Sequence, residues 1–189
     1  MVSTTPAEEH LTPVDPPGME VGLEFLRTAV LLLAAVTVGI MSGVMLLYAN
    51  TIMPGLRRTD DRTFVGAFQA IDTAIINPLF LATFLGGLVF TGLAAALSLG
   101  EDLRSVLPWT VAAFFLYLVV VVITVVVNVP LNDGIKGAGA PDQIADLAKV
   151  RKTFDEPKWI RWNLVRTILT TAAFACLLWA LVFFGRTTL

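Results

Sequence analysis

The chain has 189 residues, 56% hydrophobic and 15% charged, with a formal net charge of −2. Its mean hydropathy of +0.79 is far too apolar for a soluble domain of this size and marks a multi-span membrane protein. A lone cysteine, Cys176, excludes an intramolecular disulfide. With the sole histidine, His10, in the N-terminal tail, the body of the chain lacks the nitrogen and sulfur ligands of haem, iron–sulfur, copper or zinc sites.

Residues 1–20 read as a flexible acidic tail. Pro6, Pro13, Pro16 and Pro17 alternate with Glu8, Glu9 and Asp15, and such a segment buries too little apolar surface to order itself. It also lacks the basic start of a secretory signal. Residues 21–189 form one membrane domain with spans at about 26–52, 77–99, 107–131 and 162–185, each long enough for the roughly 20 helical residues that cross a bilayer. The first span carries Ala35, Gly39 and Gly43 at four-residue spacing, a ridge on which another helix can pack closely. Pro54-Gly55 punctuates its end, close to Tyr48, Asn50 and Thr51.

A charged turn, Arg57 to Arg62, leads to a helical stretch over residues 64–76, either interfacial or the opening turns of the second span. Gln69 and Asp72 share a stripe on it. Asn77-Pro78 suits a helix start, since a proline there gives up an N–H that had no partner. Thr83, Gly87, Thr91 and Ala95 form a second small-residue stripe. The third span is rich in valine, but an isolated strand cannot satisfy its backbone in lipid, so a helix is predicted. Pro130 should kink its end near Asn128 and Asn132, freeing the carbonyl of Val126 for an asparagine side chain to take up.

Residues 142–153 read as a short amphipathic helix. Asp155-Glu156-Pro157 then signals the start of the last helix, with Glu156 and Lys158 expected in solvent. On that helix Trp159, Trp162, Asn163 and Arg166 fall on one face, at i, i+3, i+4 and i+7. An arginine one turn inside a membrane helix costs roughly 2.5 to 3.5 kcal/mol on insertion scales, so it turns inward to find a partner.

The fold class is therefore all-α, an antiparallel four-helix transmembrane bundle with short amphipathic helices in the first and third loops. Antiparallel order brings the end of span one, the start of two, the end of three and the start of four to one membrane face. Tyr48, Asn50, Gln69, Asp72, Asn77, Asn128, Asn132, Asp133, Trp162, Asn163 and Arg166 all lie at those ends. They predict a polar-walled pocket, lined also by Phe68 and Trp159. Of the 13 Lys and Arg residues, ten lie toward the pocket face and three, Arg27, Arg104 and Arg186, toward the other. The positive-inside rule places loops one and three in the cytoplasm and both termini outside. Against a functional pocket stands a structural alternative, in which Asp72 and Arg166 are an ion pair fixing helix register.

Met53-Pro54-Gly55-Leu56 closing span one, Ile76-Asn77-Pro78 opening two, Asn128-Val129-Pro130-Leu131-Asn132 closing three and Trp159-x-x-Trp162-Asn163-x-x-Arg166 opening four resemble the anthrone-oxygenase-like family over about residues 25–185. Characterised members oxidise polyketide anthrones to anthraquinones with dioxygen and no evident cofactor, and many bacterial members have no assigned activity. The resemblance implies a cofactor-free oxygenase of planar phenolic substrates, with neither cofactor nor metal. Asp72 would be its base, or water or Asp133 if Asp72 pairs with Arg166. Arg166, Asn163 and Asn128 would hold the developing oxyanion, and Tyr48, Asn77, Asn132 and Trp162 would orient the substrate. The partners expected are the bilayer, a small aromatic substrate and dioxygen, with no nucleic acid. Two other functions fit the same residues: binding or moving a quinone or lipid without catalysis, and serving as a structural partner subunit.

Overall fold

In the computed structural model, which describes residues 17–187, every long element is helical. The tail expected over residues 1–20 lies outside the described residues up to residue 16, and its last four residues already belong to α1 (Pro17–Leu47). The remaining helices are α2 (Met53–Leu56), α3 (Asp61–Ile75), α4 (Pro78–Leu97), α5 (Leu107–Ile123), α6 (Val129–Lys136), α7 (Leu147–Phe154) and α8 (Glu156–Thr187). Four helical rods are long and apolar enough to cross a membrane, Glu20–Leu56, Pro78–Leu97, Leu107–Lys136 and Leu147–Thr187, the last of them bent at Asp155. The bundle is a ring in which α1 packs on α4 and α8, and α5 packs on the same two.

The small-residue stripes set how closely these helices approach. A Cβ added at Gly39 would stand 2.9 Å from the ring of Phe174. At Gly87 it would stand 2.6 Å from Tyr117 Cζ, and Tyr117 is fully buried with its hydroxyl donating 3.0 Å to Phe84 O. The ring has nowhere to move without losing that bond. Gly87→Ala is therefore expected to destabilise the bundle by about 1 to 3 kcal/mol through overpacking. A lowered unfolding temperature in detergent, with unchanged helicity, checks it.

Two rods carry a widened π-turn just ahead of a proline. One, Tyr48–Ile52, precedes Pro54, and the other, Thr124–Asn128, precedes Pro130. The cause is local: a proline ring clashes with the carbonyl four residues back and offers no N–H, and adding one residue to the turn relieves both. The neighbouring amides bond five residues back instead, Met53 to Tyr48 O and Val129 to Thr124 O. Pro54-Gly55 thus does not end the first rod, which runs on to Leu56. The turns also rotate Tyr48, Thr124 and Asn128 toward the bundle interior, where Tyr48 and Asn128 are buried and Thr124 half-buried.

Residues 61–75 form a helix of their own, because Asn77 breaks the chain before α4. Asp60 starts α3 by accepting from Thr63 N and Oγ1 at 3.0 and 2.8 Å, bonds that hold its carboxyl below the usual carboxylate range. The third-loop helix begins at Leu147, later than its amphipathic pattern suggests. It turns sharply into α8 at Asp155, whose φ of 53° lies in the left-handed region that aspartate tolerates.

Arg151 ties this corner down. Its guanidinium donates to Thr59 O at 2.9 Å, Asp61 Oδ1 at 3.1 Å, Arg57 O at 3.2 Å and Glu156 Oε2 at 3.3 Å, and it lies 4.2 Å above the ring of Phe64. Glu156 is consequently not solvated as its sequence context suggested. Its side chain is 12% exposed, held by Arg151 and by Arg57 at 3.8 Å.

Candidate functional site

At the end of the bundle where the π-turns lie, a partly open cavity of about 120 Å³ is lined by side chains from all four rods. Its walls divide into two polar layers. The outer layer is a chain of contacts: Trp159 Nε1 donates to Asn132 Oδ1 at 2.7 Å, and Asn132 Nδ2 donates to Asp72 Oδ1 at 2.6 Å. Lys136 Nζ stands 2.8 Å from Asp72 Oδ2 and 3.3 Å from Asp133 Oδ1. With an indole donor at one end, the orientation of the Asn132 amide is fixed, and its N–H can only point to the carboxylate. Both oxygens of the buried Asp72 are thereby engaged.

The inner layer is built on α8 and the second π-turn. Arg166, 5% exposed, donates through Nη1 to Thr124 Oγ1 at 3.0 Å and through Nη2 to Asn163 Oδ1 at 2.8 Å. Its Nε has no partner, and its guanidinium carbon lies 5.7 Å from the ring centre of Trp159. Among the described residues no carboxylate pairs with it. Beside it Asn128, 1% exposed, has neither Oδ1 nor Nδ2 hydrogen-bonded. Buried polar groups of this kind are normally satisfied, and a buried charge without a counter-charge costs several kcal/mol. Both side chains line the cavity. Arg166 and Asn128 therefore present a positive charge and an amide with free hydrogen-bonding capacity to the cavity.

Of the residues singled out from sequence, Tyr48, Asp72, Asn128, Asn132, Asp133, Trp159 and Arg166 line this cavity. Asn77 does not. Its Oδ1 accepts from Phe80 N and its Nδ2 donates to Ala74 O, each at 3.0 Å, so both ends of the amide cap the α3–α4 joint. Trp162 is half-buried and lies off the cavity; the indole in the wall is Trp159, 5.7 Å from the Tyr48 ring. Asn163 acts from behind, steering Arg166 while its Nδ2 donates 3.2 Å to Met45 O. Phe68 belongs to the buried aromatic cluster with Phe64, Phe154 and Trp159 rather than to the cavity wall.

The Asp72–Arg166 ion pair of the structural alternative is not formed among the described residues. Lys136 on the last turn of α6 reaches Asp72 first, and the two polar layers stay separate. Lys136 is the site residue that sequence reading missed. Its four-residue spacing from Asn132, along the same helix face, was the available signal. Nor does Asn128 take up a freed carbonyl, because the π-turn absorbs the effect of Pro130 within the backbone. The described residues contain no group of three His, Cys, Asp or Glu placed to hold a metal ion.

A family model described as Anthrone oxygenase matches residues 64–176, more than half of the chain. The match runs from α3 into α8 and takes in every cavity residue except Val44, Met45 and Tyr48 of the first rod. Neither the curated proteins nor the solved structures yield a match.

Proposed function

Because the chain belongs to the anthrone oxygenase family, we propose that this membrane protein oxidises a ring methylene of a planar phenolic or polyketide-type substrate to a ketone with dioxygen. The observation that carries this reading is the cation without a counter-ion: Arg166 and Asn128 face the cavity unsatisfied, while Asp72 stands on the opposite polar layer. Such a pair of layers suits a substrate that becomes an anion during reaction. Asp72, each of whose oxygens keeps one lone pair beyond its contact with Asn132 or Lys136, takes the acidic C–H proton, and the negative charge passes to the conjugated oxygen, where Arg166 and the Asn128 amide hold it.

The electron-rich ring carbon then gives its electrons to dioxygen and forms a C–O bond, leaving a peroxide. Loss of the second C–H proton expels hydroxide as the O–O bond breaks, and the hydroxide leaves as water. The balance is R2CH2 + O2 → R2CO + H2O, and the substrate supplies all the electrons. Trp159 and Tyr48 give the ring apolar faces to lie against. Asn132 and Lys136 position the Asp72 carboxylate. The excess of lysine and arginine at this end of the chain favours a cytoplasmic pocket.

Oxygen consumption by the purified protein in lipid nanodiscs, with anthrone as substrate, tests the reading. The expected result is uptake well above the protein-free rate, with one anthraquinone formed per dioxygen. Uptake no faster than in empty nanodiscs overturns it for this substrate class, and saturable anthraquinone binding without turnover would point to a carrier of quinone-like ligands.

A further inference from the structure

Resting on that reading, we infer that the substrate enters and leaves the pocket sideways from the bilayer, through a mouth between Ile76 and Val129, and stays partly in lipid while bound. The size of the cavity is the first ground. An apolar cavity of about 150 Å³ accommodates one benzene ring. The space of about 120 Å³ within these walls therefore seats a single ring, and the rest of a fused planar system projects through the open side.

The second ground is where the wall is open. Of the residues lining the cavity, Ile76, Val129 and Asp133 are exposed, and all belong to the α3–α4 joint or to α6. Here α4 follows α5 but diverges from the second π-turn and α6. The break at Asn77 ends α3 at this point, and the π-turn displaces the facing rod. The surface around the gap is apolar and lipid-facing, with Leu79 78%, Val126 66% and Val125 59% exposed. Asp133 and Lys136 sit on one border, as charged groups do at headgroup level.

The third ground is that the aqueous side is shut. Between the loops and the cavity lie Phe64, Phe68, Phe154, Met53 and Ile135, each 2% exposed or less. The Arg151 clamp fastens the helices above them. An apolar planar molecule concentrated in the bilayer thus meets a slit that is apolar at Ile76 and Val129, charged only along the Asp133–Lys136 border, and leads to an anion-binding floor.

Cysteine protection tests this with 9,10-anthraquinone as the probe. Ile76→Cys and Val129→Cys are made separately in a Cys176→Ala background and labelled in nanodiscs with a membrane-partitioning maleimide. Leu93→Cys, exposed on α4 toward the other end, is the control. With anthraquinone at about ten times its Kd, labelling at the two mouth positions should slow about tenfold, the factor 1 + [L]/Kd, and labelling at the control should not change. A second variant, Val129→Trp, should slow association of anthraquinone, read by fluorescence quenching, while Arg151→Met leaves that rate unchanged. Saturable binding without protection at either mouth position, or faster association on loosening the Arg151 clamp, overturns the lateral route alone. Absence of saturable anthraquinone binding overturns the route, whereas the oxygenase reading falls only if oxygen uptake with anthrone stays at the rate of empty nanodiscs.

Discussion

Arg166→Gln is expected to lower kcat/KM for anthrone oxidation by about 10²- to 10³-fold, the loss seen when a preorganised group that holds a developing oxyanion is removed. The distinguishing feature is what happens to stability. A guanidinium that served only to fix helix register would be paired, and its removal would leave a carboxylate buried alone, at a cost of about 3 to 5 kcal/mol. Arg166 has no such partner; its bonds run to the neutral Thr124 and Asn163. Removing an uncompensated charge should leave the unfolding temperature in detergent unchanged or raise it. Arg166→Lys should recover little activity, because an ammonium cannot reach Thr124, Asn163 and the ligand together from a fixed planar fork. A large loss of stability in Arg166→Gln, with activity falling only as folded protein falls, would return this residue to a packing role.

The part of this site that could be read from sequence was the part set by topology. Antiparallel connection of four apolar runs forces four helix ends together, and the polar residues at those ends were visible as exceptions in a hydrophobic chain. Which of them face inward depended on rotation, and rotation was altered by two π-turns. Past Pro130 a four-residue spacing still kept one face, for Asn128, Asn132 and Lys136 all line the cavity across the π-turn. On α8, which has no such turn, Trp159, Asn163 and Arg166 did share a buried face. Trp162 fell at its edge and half out of it. Asn77 looked like a pocket residue because it is polar and near the right end, yet an asparagine before a proline at a helix start has its hydrogen bonds committed to the backbone. Lys136 was hidden for the opposite reason. It stands among glycines past the end of the third apolar run, and only the continuation of α6 past Pro130 carries it back over Asp72.

That contact decides how the base is to be tested. Asp72→Asn is expected to reduce kcat by about 10²- to 10⁴-fold, the range over which positioned general bases act. The loss alone is ambiguous, because the same substitution leaves Lys136 with only Asp133, at 3.3 Å, as its acidic neighbour. If Asp72 matters merely as the counter-ion of Lys136, then Asp72→Asn combined with Lys136→Met restores both stability and turnover, since neither charge is then left unpaired. If Asp72 accepts the substrate proton, the double variant regains stability but remains as slow as Asp72→Asn alone. A substrate deuterated at the reacting methylene adds an independent readout. Removing the base should make C–H cleavage limiting, so the isotope effect on oxygen uptake should rise in Asp72→Asn above its wild-type value. An unchanged isotope effect with activity restored in the double variant would remove Asp72 from the chemistry and leave it as part of the wall that Lys136 holds in place.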